Sequence, residues 1–196
     1  MIRIIHSRVL EKIALDTTNT VVKKLSEWAK KKAEISVLVA DMVPLKTANQ
    51  QIAVSEDYLT FYIEISSRFS SGVSFIFLRE DHAKLLIDLL NKQKPGTTKK
   101  IDELGLSALK ETANLIAGVY INEFVKIAGK DLEYTEPKYL MQKEVKDLKS
   151  KITTKVKDNE VIMFQSGIDI LQSNISINLF LFLEKSLFRK ALNGVQ

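Results

Sequence analysis

Cysteine is absent from this 196-residue chain, which excludes a disulfide framework, a thiolate metal site and a cysteine nucleophile. Histidine is nearly as scarce. His6 and His82 are the only two, and a Ser-His-Asp triad or a histidine-rich metal site would have to use one of them. Neither sits in a recognisable motif, and both read as ordinary histidines flanking helices. Long hydrophobic runs are missing too. The longest, Leu179 to Leu183, falls far short of the ~20 residues that a membrane-spanning helix needs. Met1 to Leu15 carries Arg3, Arg8, Glu11 and Lys12, so it lacks the unbroken apolar core of a signal peptide. The expectation is a cytoplasmic protein with no membrane insertion.

What is present is ordinary in bulk. A hydrophobic share of 45% and a charged share of 27% suit a globular domain. At this length folding would bury roughly 70% of the unfolded chain's surface. The net charge of +5 permits attraction to an acidic partner but does not single out nucleic acid. A duplicated, basic sheet-and-helix chain superficially resembles TATA-binding protein. No aromatic and basic stacking pattern stands on a strand, however, and nucleic acid is not an expected partner.

The chain reads as two similar halves, about 1–94 and 101–196, in one domain spanning 1–196. The connector is Lys94 to Lys100, a charged, turn-forming stretch with Pro95 and Gly96. In the first half a helical pattern over 5–31 presents Ile13, Val21, Val22, Leu25 and Trp28 on one face. A strand follows over 33–43, then a hairpin. There Leu59, Phe61, Ile63 and Ile65 alternate with Tyr58, Thr60, Tyr62 and Glu64, and the chain turns at 66–72 into a strand over 73–78. A short helix over 81–90 ends the half.

The second half repeats this order: a helix over 102–128, a strand over 132–140, another beginning at 161–164, a strand over 175–183 and a closing helix over 184–192. A shift of 99 positions lays Leu25 on Phe124, Trp28 on Ile127, Ala29 on Ala128, Lys31 on Lys130 and Glu34 on Glu133. The predicted fold class is therefore α+β with a pseudo-twofold. Six strands form an antiparallel sheet, two long helices pack on one face, and the other face is wet. The lysine-dense stretch 143–160 reads as a solvated loop or a protruding polar hairpin.

The most specific feature lies on the second long helix. Ser107, Glu111, Asn114 and, after 22 intervening residues, Pro137 form the pattern S-x3-E-x2-N-x22-P. At 100° per residue the three polar side chains fall within an arc of roughly 60°, one stripe of a helix. The odds of a chance match in a chain this long are on the order of one in several hundred, given ordinary residue frequencies. Leu106, Leu109, Ala113, Ile116, Tyr120, Phe124 and Ile127 take the face toward the sheet, leaving the motif stripe turned outward with Gly118. Asn and Gly are poor helix formers, Gly costing about 1 kcal/mol against Ala. Two such choices on one stripe point to a role beyond helix stability, and Gly118 would spare room for the backbone of a docking partner.

The pattern resembles the signature of the CheC/CheX/FliY family of chemotaxis phosphatases, in which an Asp or Ser, a Glu, an Asn and a Pro stand at these separations. The two-half layout and the placement of the long helices match as well, so the resemblance covers most of the chain. It implies an enzyme that removes the phosphoryl group from the response regulator CheY. By that analogy Asn114 would orient the attacking water and Glu111 would contact a lysine of the regulator. Ser107 would support the helix surface, and Pro137 would shape the following strand. The chain itself would bind no cofactor, since the divalent metal, Mg, would belong to the partner. This accounts for the lack of a metal constellation or a phosphate-binding glycine loop.

At the equivalent positions of the first half stand Arg8, Lys12, Leu15 and Leu38. Lys12 reverses the charge and Leu15 cannot orient water; Asp16 and Asn19 lie nearby but off the motif's spacing. One site is expected, with a CheX-like and a divergent CheC-like assignment both open. The alternative function is a non-catalytic chemotaxis or flagellar adaptor of the same fold, for example one binding CheD. Monomer and homodimer are equally compatible with the family.

Overall fold

The computed structural model describes residues 2–52, 57–68, 70–128 and 132–188. In chain order the elements are α1 (Ile2–Ala29), β1 (Ala33–Pro44), α2 (Leu45–Gln51), β2 (Tyr58–Ser66), β3 (Ser71–Arg79) and α3 (Glu80–Leu90). The second half supplies α4 (Glu103–Ala128), β4 (Glu133–Tyr134), β5 (Lys138–Leu140), α5 (Gln142–Val145) and α6 (Leu148–Lys155). It closes with β6 (Glu160–Ile170), β7 (Ile175–Glu184) and a single 3-10 turn, Lys185–Phe188.

Strand order is β1-β6-β7-β3-β2-β4, with β5 also on β2, and every pairing is antiparallel. Written by half, this is a palindrome. The centre is β7 beside β3, the last strand of each half; outward come β6 and β2, then β1 and β4–β5. Each half thus places its outermost strand against the other half, and the duplication becomes a pseudo-twofold through the sheet.

Helices α1 and α4 cover one face. Along α4, Leu109, Ala113, Ile116, Tyr120 and Phe124 recur every three or four residues and are all buried; Leu106 and Ile127 pack partly buried against the same core. The start of α4 is fixed by Asp102, whose carboxylate accepts the Gly105 N–H at 2.8 Å, satisfying one of the unpaired first-turn donors. One polar cluster sits inside this layer. The Tyr120 hydroxyl donates to Ser166 Oγ at 2.7 Å and lies 2.8 Å from Thr18 Oγ1, tying α4, the sheet and α1 together.

Four expectations are corrected. Among the described residues the sheet has seven strands instead of six because the expected strand over 132–140 is broken around Pro137. The second face is not wet. A separate apolar cluster, including Phe75, Phe77, Phe180, Phe182, Tyr62 and Met163, is covered by α2 and α6. The reason lies in composition: Phe180 and Phe182 alternate with leucines, so both faces of β7 are apolar and both must be buried. The cover comes from the stretch read as a solvated loop. Leu148, Ile152 and Val156, four residues apart, are buried on the aromatics while Lys146, Lys149 and Lys157 are exposed and Lys151 and Lys155 half-exposed. Lys151 places Nζ 5.2 Å from the centre of the Tyr62 ring, and Lys155 pairs with Glu64. The predicted closing helix over 184–192 is a strand end at Glu184 and the 3-10 turn as far as Phe188; its remainder lies outside the described residues.

The connector is held by a residue that the sequence did not single out. Asp88 on α3 is buried, and its carboxylate accepts the N–H groups of Gly96, Thr97 and Thr98 and the Thr98 hydroxyl at 2.6–3.0 Å. His82 lies within the first turn of α3 instead of flanking it, and its Nδ1 accepts the Ser176 N–H at 3.1 Å; the side chain of His6 lies outside the description. No helix among the described residues is long and apolar enough to cross a membrane.

Candidate functional site on helix α4

The buried stripe of α4 dictates what its opposite face can do. With Leu109, Ala113 and Ile116 committed to the core, Ser107 and Glu111 are exposed and Asn114 is half-buried on the outer flank. Along the axis Glu111 and Asn114 are ~4.5 Å apart and about 60° apart in rotation, so carboxylate and carboxamide rise side by side. Among the described residues neither side chain makes a hydrogen bond or ion pair, nor does that of Ser107. A free carboxylate, a free carboxamide and a rigid rod make a bipartite hydrogen-bonding surface with its capacity unspent. Also among the described residues, no group of three or more metal-ligating side chains could hold an ion.

Gly118 departs from expectation. It is buried, and a Cβ at this position would stand 2.8 Å from the Tyr134 hydroxyl oxygen. The space that its missing side chain leaves is filled by this chain's own tyrosine, not kept for a partner backbone.

Pro137 explains how that tyrosine arrives. In β4, Tyr134 pairs with Ile65 and Glu133 with Ser66; in β5, Lys138 pairs with Tyr62 and Leu140 with Thr60. Between these registers Thr135, Glu136 and Pro137 stand opposite only Ile63 and Glu64, which is a bulge of one residue. Proline has no N–H for the ladder and is suited to such a position. The bulge has a consequence for faces. Residues 134 and 139 are five apart and would point to opposite faces of a regular strand. With one residue inserted, both lie on the helix-covered face, Tyr139 with its ring centre 6.0 Å from that of Phe61 and Tyr134 against Gly118. Sequence reasoning missed Tyr134, although its position three before the motif proline was a usable signal. It also missed Leu104, which is 81% exposed and seven residues before Glu111, hence on the same stripe.

The first half carries no counterpart of the Glu and Asn. Arg8, Lys12 and Leu15 are exposed on α1, and Leu38 is half-buried in β1, which has a register shift of its own between Ile35 and Val37 where it pairs with β6. The positions equivalent to Gly118 and Tyr134 hold Asn19 and Ile35.

No protein-family model matches this sequence, and no curated protein matches it. Solved structures do. Thermotoga maritima FliY superposes with a TM-score of 0.69 at 14% identity, covering 97% of each chain. A chain of the H. pylori FliG–FliM complex gives 0.64 at 11% identity over 94% of this chain and 97% of its own. A chain of the CheX–CheY–BeF3–Mg2+ complex from Borrelia burgdorferi gives 0.58 at 13%, over 89% and 97%.

This chain has the CheC-like fold. At such identities the CheC-like fold is carried by pattern, namely two long helices, a palindromic antiparallel sheet and buried alternation, and not by shared residues. The helix-borne Glu111 and Asn114 are then an independent observation, made on a scaffold that the superpositions identify without reference to them.

Proposed function

We propose that this protein is a phosphatase of the CheC/CheX/FliY kind, acting on the aspartyl phosphate of a CheY-type response regulator in the cytoplasm. The observation that carries this reading is the pair Glu111 and Asn114, unpartnered on the outer face of α4 in a CheC-like fold. Its support from the comparisons is that a CheX of this fold has been crystallised with CheY, BeF3 and Mg2+. Beryllium trifluoride is a phosphoryl mimic.

In the proposed reaction the Asn114 carboxamide oxygen accepts a hydrogen bond from a water and holds it in line with the scissile bond. The water oxygen attacks phosphorus, the P–O bond to the aspartyl carboxyl breaks, and its electron pair leaves with the carboxylate. Inorganic phosphate takes up the oxygen of the water and both its protons, leaving as H2PO4−. Glu111 pairs with a lysine of the regulator and fixes the docking pose. The Mg2+ that neutralises the phosphoryl oxygens is the regulator's, and this chain brings no cofactor. Orienting one water is a proximity effect, and a hundredfold acceleration needs only ~2.7 kcal/mol. A single well-held amide can supply that.

The deciding measurement is the rate of phosphate loss from the cognate phosphorylated regulator. Wild type should accelerate it, Asn114→Ala should abolish most of the gain at all concentrations, and Glu111→Ala should act mainly by raising KM. A regulator whose dephosphorylation is unaffected by saturating wild-type protein sinks the proposal.

A second reading is favoured by the fit of a chain from the FliG–FliM complex, which lies between those of the FliY and CheX–CheY structures, and by the lack of the motif on α1: a non-catalytic flagellar or chemotaxis adaptor, with FliG or CheD as partner. It predicts that Asn114→Ala leaves the cellular role intact.

A further inference from the structure

The phenol of Tyr134 occupies a position that the motif alone does not describe. Its hydroxyl stands where a side chain at residue 118 would begin, one helical turn beyond Asn114 on the same stripe. The residue is 37% exposed, and among the described residues its hydroxyl has no hydrogen-bond partner. Its backbone is tied to β2. Ile65 pairs with Tyr134, the Thr135 N–H donates to the Glu64 carbonyl at 3.0 Å, and the Glu64 N–H donates to Thr135 Oγ1 at 3.0 Å. A rigid, half-exposed phenol with an unspent hydroxyl, ~6 Å along the helix from the carboxamide, is a prepared contact for whatever covers Asn114.

Several features that otherwise lack a purpose converge on this placement. Gly118 costs helix stability and leaves room for the hydroxyl end of the ring. The Pro137 bulge turns residue 134 to the helix side. In the half without the Glu and Asn, the same two positions are Asn19 and Ile35, so pocket and phenol are absent together.

Resting on the phosphatase reading above, we infer that Tyr134 is a docking residue of the same site, its hydroxyl hydrogen-bonding the main chain of the phosphorylated regulator beside the reacting aspartate. It is a positioning residue: it sets the pose in which Asn114 aligns water and takes no part in the bond changes. Gly118 acts through it, as the space that receives the hydroxyl end of the ring.

The test is a double-mutant cycle on the intact protein, read both as dephosphorylation kinetics and as binding to the BeF3-activated regulator. Tyr134→Phe keeps the ring and should raise KM and the dissociation constant by about three- to tenfold, the range for one neutral hydrogen bond, with kcat changed by less than twofold. Tyr134→Ala should raise both further. Gly118→Ala should match Tyr134→Ala in wild type and add almost nothing in the Tyr134→Ala background, because its effect is to displace the ring. Thermal melts identify any variant that fails to fold, and Tyr134→Phe keeps the packing that the others remove. Suppose wild type is active and Asn114→Ala is dead, while all Tyr134 and Gly118 variants stay within twofold of wild type. The inference is then overturned and the phosphatase reading stands. Binding that depends on Tyr134 without any phosphatase activity would sustain the docking role and sink the enzyme. Loss of neither activity nor binding from any variant, Asn114→Ala included, removes both.

Discussion

Single residues in this protein fall into two kinds: those whose polar atoms are spent inside the fold and those whose polar atoms are left over. Tyr120 is the first kind. Its hydroxyl bridges Thr18 and Ser166 at 2.8 and 2.7 Å, and removing it leaves those two hydroxyls with only each other at 3.2 Å. Tyr120→Phe should therefore cost about 1–2 kcal/mol of stability without altering dephosphorylation kinetics. Equilibrium denaturation of the variant beside wild type checks it. Burial raises the phenol's pKa despite its two hydrogen bonds, so it stays neutral and a donor throughout the accessible pH range. Glu111 and Asn114 are the second kind, and their freedom could be anticipated from the sequence. Helical spacing assigns the buried face to Leu109, Ala113 and Ile116, and the remainder must point elsewhere. Gly118 could not be read the same way. A helical wheel gives an angle but not which strand crosses there, and Tyr134 crosses.

At the scale of the element, helix α4 is a rod whose inner face is fixed by packing and whose outer face is available. Leu104 extends that outer face two turns ahead of Glu111, and at 81% exposure it contributes little to the fold. If a regulator lies along the stripe, Leu104→Ala should leave thermal stability unchanged within about 0.5 kcal/mol and raise KM by about tenfold. An unchanged KM would place the regulator off the first turns of the helix. Helix α6 shows the opposite logic. Its sequence is dense in lysine, and that density concealed Leu148 and Ile152, and Val156 just past its end, which are few but spaced at one helical turn. Three apolar residues suffice to cap an aromatic sheet face, since lysine stems lie along apolar surface with their charges outward. Ile152→Ala, fully buried in this cap, should destabilise by about 2–4 kcal/mol, read as a fall in Tm of several degrees. A loss near zero would mean that α6 is not a true cover for the aromatics. Strands β2 and β7 were visible through alternation. That both their faces are buried was legible too, had phenylalanine at 180 and 182 been weighed as strongly as the leucines between them. The bulge at Pro137 was not legible, because register depends on the partner strand β2.

For the whole molecule, the palindromic sheet makes the two halves inseparable, since β1 closes on β6 of the other half and β4 and β5 close on β2. Similarity at a shift of 99 residues revealed the duplication, whereas the interleaving depends on contacts between residues 67 to 137 apart. The stretch joining the halves is pinned by Asp88. Burial alone would raise the pKa of this carboxyl, but four hydrogen bonds from Thr98, Gly96 and Thr97 outweigh it and hold the group below the ordinary carboxylate range. The sign of the pH dependence follows. A carboxyl with a depressed folded-state pKa binds fewer protons folded than unfolded near its titration range, so its stabilisation is fully present above the unfolded value of about 3.9 and is lost as pH falls through the folded one. Asp88→Asn, which keeps a carbonyl acceptor but no charge, should therefore melt lower than wild type by a constant margin above about pH 5, and the margin should shrink steadily toward pH 2. Melting curves of both proteins across that interval provide the check. A margin that stays constant down to the lowest pH would show that the connector holds to Asp88 as a neutral acceptor, and that its charge does not contribute to joining the halves.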